Sequence, residues 1–100
     1  MRRSEAIELL LSHADDLRAA GVAHVSLFGS LARDQLGPCS DIDLVLDGPA
    51  DRPMTLFSMA RAEALLEAIF RRSVDLTARQ GLDSAPAFRN RIAGDLIDVF

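Results

Sequence analysis

One hundred residues, 49% of them hydrophobic, predict a single small domain (1–100) with one core. A net charge of −4, with all 11 basic residues arginine and neither Trp nor Tyr present, excludes a general nucleic-acid footprint and a catalytic or Schiff-base lysine. It also leaves only Phe for stacking on a base.

The chain opens on Met1-Arg2-Arg3, and Ser4 reads as a helix N-cap with Glu5 in the first turn. Ile7, Leu10, Leu11, Ala14 and Leu17 recur at helical spacing, and Gly21 stops that helix. The apolar run Leu9–Leu11 is too short for a signal peptide and is followed by His13, Asp15 and Asp16, so export is not expected. Nothing approaches the ~20 apolar residues of a membrane span. With the lone Cys39, which can form no internal disulfide or multi-cysteine zinc site, this predicts a cytoplasmic protein.

Val22 to Phe28 reads as a strand, and Gly29-Ser30 opens a short helix to about Gln35 that Gly37-Pro38 breaks. A second strand runs from Ile42 to Leu46. After the loop of Gly48-Pro49 and Pro53, a longer helix extends from about Met54 to Arg71, with Met59, Ala62, Leu66, Ile69 and Phe70 on one arc. Ser73 to Thr77 is a third strand. Asp83-Ser84 caps a helix from Ala85 to about Ala93, and Leu96 to Phe100 is an edge strand. The alternation of helices and strands predicts an α/β (α+β) domain, a sheet covered by helices.

Two parts of this order carry chemistry. Asp41 and Asp43 alternate with apolar Ile42, Leu44 and Leu46, so both carboxylates share one face of the strand. Like charges so close repel, and a hard divalent cation such as Mg²⁺ offsets the repulsion by taking one or two carboxylates plus phosphate oxygens. A second ion about 4 Å away makes the two-metal clamp of in-line phosphoryl displacement. Asp75, between Val74 and Leu76, emerges on the polar face of its own strand as a third carboxylate, able to complete a second metal site and accept a proton. Gly29-Ser30 is the other part: glycine admits close approach, the amides at a helix start favour an anion, and the Ser30 hydroxyl adds a donor. Arg33 can reach a phosphate or the acidic cluster. Calcium binding in an EF-hand loop is excluded, because Val45 stands where that loop needs an oxygen donor. His13 and His24 lack metal-ligand spacing, and Asp34, Asp47, Asp95 and Asp98 read as solvated charges.

The window Leu27-Phe28-Gly29-Ser30, Ala32-Arg33, Ser40-Asp41-Ile42-Asp43-Leu44, with Val74-Asp75-Leu76 downstream, resembles the DNA polymerase β nucleotidyltransferase superfamily and, within it, the minimal nucleotidyltransferases (MNT). The resemblance implies a polymerase-β-like nucleotidyltransferase core, a mixed sheet of about four strands flanked by helices. It implies that Gly29 and Ser30 contact a triphosphate and that Asp41, Asp43 and Asp75 bind two Mg²⁺ ions. The implied reaction is transfer of AMP from ATP to a hydroxyl, with release of pyrophosphate. The family is similar to the antitoxin half of type VII-like toxin–antitoxin pairs, which implies an all-helical HEPN-domain toxin as partner, with a tyrosine as acceptor. A homodimer or a hetero-oligomer with the toxin is compatible with this reading, as is an antitoxin that masks its toxin without catalysis. A small-molecule, aminoglycoside-type nucleotidyltransferase is the third reading. Two positions depart from the family pattern: Leu31 replaces a common arginine, and Asp34 stands where a glycine is common, which places one more negative charge near the site.

Overall fold

Strand β2 (Ile42–Asp47) sets the layering of the molecule. Its Ile42, Leu44 and Leu46 are completely buried on one face, and on the other face Val45 is buried between Asp43 and Asp47. A strand covered on both sides must lie inside a sheet with helices on each face. The computed structural model describes residues 1–100 and has this arrangement.

The other elements are α1 (Arg3–Ser12), α2 (Ala14–Ala19), β1 (His24–Phe28), α3 (Gly29–Ala32), α4 (Leu56–Phe70), β3 (Val74–Ala78), α5 (Arg79–Asp83), α6 (Pro86–Ile92) and β4 (Ile97–Asp98). The sheet order is β3-β2-β1-β4. β1 pairs antiparallel with β2 and β4, whereas β2 and β3 are parallel, so the sheet is mixed. A parallel neighbour needs a long crossover, and α4 supplies it.

The larger core lies between the sheet and α1, α2 and α4. Leu10, Leu17, Val25, Leu27, Leu44 and Leu66 are buried together there. A smaller cluster on the opposite face joins Phe28 and Val45 to Leu82 of α5 and Ile92 of α6, with Phe28 and Phe88 packed edge to face. Beside it, the buried Ser26 hydroxyl donates to Asp98 at 2.6 Å and accepts from Arg79 at 3.1 Å, pinning β4 and α5 to β1.

The predicted first helix is two helices meeting at His13, whose backbone leaves helical geometry (φ −107°, ψ 14°). Leu11 faces outward, and Ala6, not Leu11, joins Leu10, Ala14 and Leu17 in the buried row. Ser4 lies inside α1; the first turn is closed by Glu5, whose carboxylate accepts the Arg2 amide at 3.2 Å. α4 begins two residues later than its apolar arc suggests, because Thr55 and Ser58 form a capping box. The Thr55 hydroxyl accepts the Ser58 amide at 3.1 Å, and the Ser58 hydroxyl accepts the Thr55 amide at 2.7 Å. α5 is absent from the sequence prediction because Gly81 sits at its centre and no side chain caps it; buried Leu82 holds it in place. β4 is shorter than predicted, although Val99 and Phe100 still bond to Val25.

If β2 carries the core, Leu44→Ala should cost about 2–5 kcal/mol of unfolding free energy, as for other fully buried leucines. Leu56→Ala, whose side chain stands almost fully in solvent (91% exposed), should change it by no more than about 0.5 kcal/mol. Urea unfolding of both variants checks the contrast.

Candidate active site

The site forms where β1 ends and β2 begins. In the antiparallel register Phe28 faces Asp43, so the residue after Phe28 lies beside the Asp43 side chain. That residue is Gly29, with φ +70°, a conformation L side chains rarely adopt. A Cβ at Gly29 would overlap Asp43 Oδ2. Glycine is therefore required twice, once by the backbone angle and once by the carboxylate pressed against it.

On the other side of β2, the parallel register sets Asp43 directly opposite Asp75. Register partners in a sheet project from the same face, so Asp75 shares the face of Asp43. Asp41 precedes the strand by one residue and is exposed, as is Asp75; Asp43 is half-buried. Burial pushes the Asp43 carboxyl above the ordinary carboxylate range, and the charges of Asp75 and then Asp41 push it further. The Arg33 charge pulls the other way.

No three acidic, His or Cys side chains close into a complete metal cage. The donor set is nevertheless one that suits a hard divalent cation: oxygen only, concentrated at one strand end, with one carboxyl whose ionisation is opposed until positive charge arrives. Magnesium uses few protein ligands and completes its shell with water and phosphate oxygens, so an open site fits it.

Ser30 is half-buried in the first turn of α3, which starts at the same end of the sheet as the carboxylates. Arg33 lies close enough to act on Asp43, yet its guanidinium donates to Asp95 at 2.5 Å and to Gln35 at 3.4 Å. Asp95 is thus no free surface charge. To grip a phosphate, Arg33 must leave this carboxylate or share itself with it. Sequence reasoning also missed Arg72, whose guanidinium donates to the carbonyls of Gly37 and Pro38 at 3.2 and 2.9 Å and secures the loop leading to Asp41. Neither contact has a local signal, since each spans 34 residues or more.

Asp34 corrects an expectation. Its φ is +59°, a backbone angle that favours glycine. Its carboxylate accepts the Arg3 amide at 2.8 Å and stands 3.6 Å from the Arg2 guanidinium. The Arg3 hydrogen bond, with the Arg2 and Arg3 charges, lowers its pKa. The negative charge expected to burden the site is therefore engaged in tethering the N-terminus. Cys39 is exposed and free, and His13 and His24 take no part.

The family profile described as "Nucleotidyltransferase domain" matches residues 8–99. Two proteins of Methanocaldococcus jannaschii, each named "putative protein adenylyltransferase", are similar over nearly their full length. One is 30% identical, covering 96% of this chain and 96% of the relative; the other is 29% identical, covering 93% and 88%. A solved structure described as a "putative minimal nucleotidyltransferase" superposes with a TM-score of 0.77 and 28% identity, covering 97% of this chain and 95% of the other. A nucleotidyltransferase-like structure from Sulfolobus solfataricus, 19% identical with a TM-score of 0.54, covers 96% of this chain and 80% of its own and shares the fold.

Two outcomes follow from the packing at Gly29 and Asp43. Gly29→Ala should destabilise the domain by about 1–3 kcal/mol, because the positive φ and the displaced carboxylate act together; calorimetry checks this. Asp43→Asn should have the opposite sign. Burial and like charge favour the protonated Asp43, so its ionisation opposes folding above the ordinary carboxylate pKa of about 4 and not below it. In metal-free buffer Asp43→Asn should melt higher than the wild type near neutral pH, and the difference should close as the pH falls below about 4.

Proposed function

This chain belongs to the nucleotidyltransferase domain family, and its fold is that of a minimal nucleotidyltransferase. We propose that it transfers AMP from ATP to a hydroxyl of a partner protein, with magnesium. The observation that carries the reading is the pairing of Asp43 with Asp75 across β2 and β3, with Gly29 against Asp43. It sets Asp75 opposite Asp43, with Asp41 two residues earlier in the chain, and this supports a metal-assisted reading.

Asp41 and Asp43 would hold the cation that accompanies the triphosphate, and Asp75 together with Asp43 would hold a second. Bound divalent ions supply neutralisation of the triphosphate and of the charge that develops at the α-phosphoryl group. Gly29 lets the triphosphate lie against the backbone, and the Ser30 hydroxyl donates to it. Arg33 adds positive charge once it turns from Asp95. Asp75, exposed on the edge strand β3, takes the proton of the acceptor hydroxyl. The acceptor oxygen forms its bond to the α-phosphorus as the bond to the β-phosphate bridging oxygen breaks. The products are the AMP ester and pyrophosphate.

A protein acceptor is supported by the two archaeal relatives, whose names describe protein adenylyltransferases. The partner we propose is a HEPN-domain toxin that accepts AMP on a tyrosine, with this chain as its antitoxin. This rests on the family resemblance of the Gly29-Ser30 and Asp41-Ile42-Asp43 motifs.

Incubation with α-labelled ATP, Mg²⁺ and a HEPN-domain partner, sought first in the product of the adjacent gene, should place label on that protein. Asp41→Asn with Asp43→Asn should abolish labelling, and Asp75→Asn should slow it by about 10²–10⁴, as for loss of a general base. Neutralisation of the toxin by the double variant without label would replace the catalytic reading with masking.

A further inference from the structure

At the opposite end of the sheet from the carboxylates lies an open cavity of about 660 Å³. It is bounded by the end of α2, the loop after β2 and the first turns of α4, and its lining includes Arg18, Gly21, Arg52, Thr55, Ser58 and Arg61. Three guanidinium groups border it and no carboxylate does. Its size falls in the range of small-molecule sites, about 300–1,000 Å³.

This concentration of arginine stands out in a chain of net charge −4. Away from it, every arginine but Arg71 is occupied. Arg2, Arg33, Arg79 and Arg89 face carboxylates, Arg3 and Arg72 donate to backbone carbonyls, and Arg91 lies over Phe88. The side chains of Arg52 and Arg61 make no ion pair or hydrogen bond. Arg18 stands 3.8 Å from exposed Asp15, and Phe100 supports its guanidinium from beneath at 5.0 Å. Three like charges left around one hollow repel, and an anion entering it relieves that repulsion. The cavity lies at the His24 and Asp47 ends of β1 and β2, roughly 13–16 Å along the strands from Gly29 and Asp43. One triphosphate on the carboxylate end does not extend its phosphates into it.

We propose that this cavity is a second anion site, separate from the candidate active site, which takes a phosphate-bearing small molecule of nucleotide size. The guanidinium groups of Arg52 and Arg61 bind the phosphates, and Arg18, braced on Phe100, closes the third side. The inference rests on no part of the transferase reading.

The test is a titration of the ¹⁵N-labelled full chain, with EDTA present, by inorganic pyrophosphate and separately by ATP, followed through backbone amide shifts. Saturable shifts are expected at Gly21, Thr55 and Ser58. Arg61→Gln should weaken binding roughly ten-fold, as for a lost charge-assisted hydrogen bond. Arg71→Gln, at the far end of α4, makes the same change in net charge and should stay within about two-fold of wild type. Equal affinity for both ligands assigns the site to phosphate alone, and tighter ATP binding adds the nucleoside; both support it. The proposal is overturned by shifts confined to Gly29, Ser30 and Asp43, by equal weakening in Arg61→Gln and Arg71→Gln, or by no saturable shift up to about 10 mM of either ligand. The side chains changed are exposed and unbonded, so an unchanged amide spectrum before titration separates lost binding from lost fold.

Discussion

Asp43 is held half out of water with a carboxylate opposite it on β3 and another two residues before it on its own chain. Every one of these neighbours opposes its ionisation, and so does burial. An arrangement of this kind persists only where the surrounding structure over-determines it. Here the strand carrying Asp43 also carries Ile42, Leu44, Val45 and Leu46, all buried, so moving the carboxylate away means moving the middle of both cores. The packing that stabilises the domain is thus the packing that enforces the repulsion. Positive charge brought to this point, whether by a metal ion or by Arg33, gains more than it would at a solvated Asp-x-Asp.

Three long-range tethers keep the loops around this strand in place. Arg72 holds the segment before Asp41, Arg33 holds the loop at Asp95, and Asp34 holds the backbone at the start of α1. Each tether uses the planar, multi-donor guanidinium or a carboxylate on a backbone amide, contacts that fix direction as well as distance. Arg33 differs from the others because its partner competes with its proposed task. While paired with Asp95 it softens the field at Asp43.

The alternation through residues 41–46 and 74–76 made the carboxylate face legible in the sequence, because a strand's period of two is rigid and its apolar partners were unambiguous. The capping of α4, the break at His13 and the short α5 were less legible. Helix ends are decided by one or two hydrogen bonds, and Gly81 argues locally against a helix that Leu82 anchors from a distance. The role of Asp34 was misread for a related reason. Its chain position is close to the site, but its left-handed backbone turns the carboxylate toward residues 2 and 3. The Arg33–Asp95 and Arg72 contacts had no local signal at all, since they join segments tens of residues apart.

The sheet ends up polarised along its strands. Because β1 runs toward the site and β2 away from it, one hairpin places Gly29 and the carboxylates at one end, and Gly21 and the loop carrying Arg52 at the other. α4 returns antiparallel to this axis, so its start lies at the arginine end and its close leads through Arg72 back to the carboxylate loop. An anion settling at the arginine end would therefore bear on the first turn of the same helix whose last turn leads into Arg72 and β3. Rigid helices transmit displacement along their length, but coupling exists only if the two ends favour different arrangements. The capping box at Thr55 and Ser58 is the element on which such a difference would have to act, since it lies in the cavity wall and fixes where α4 begins.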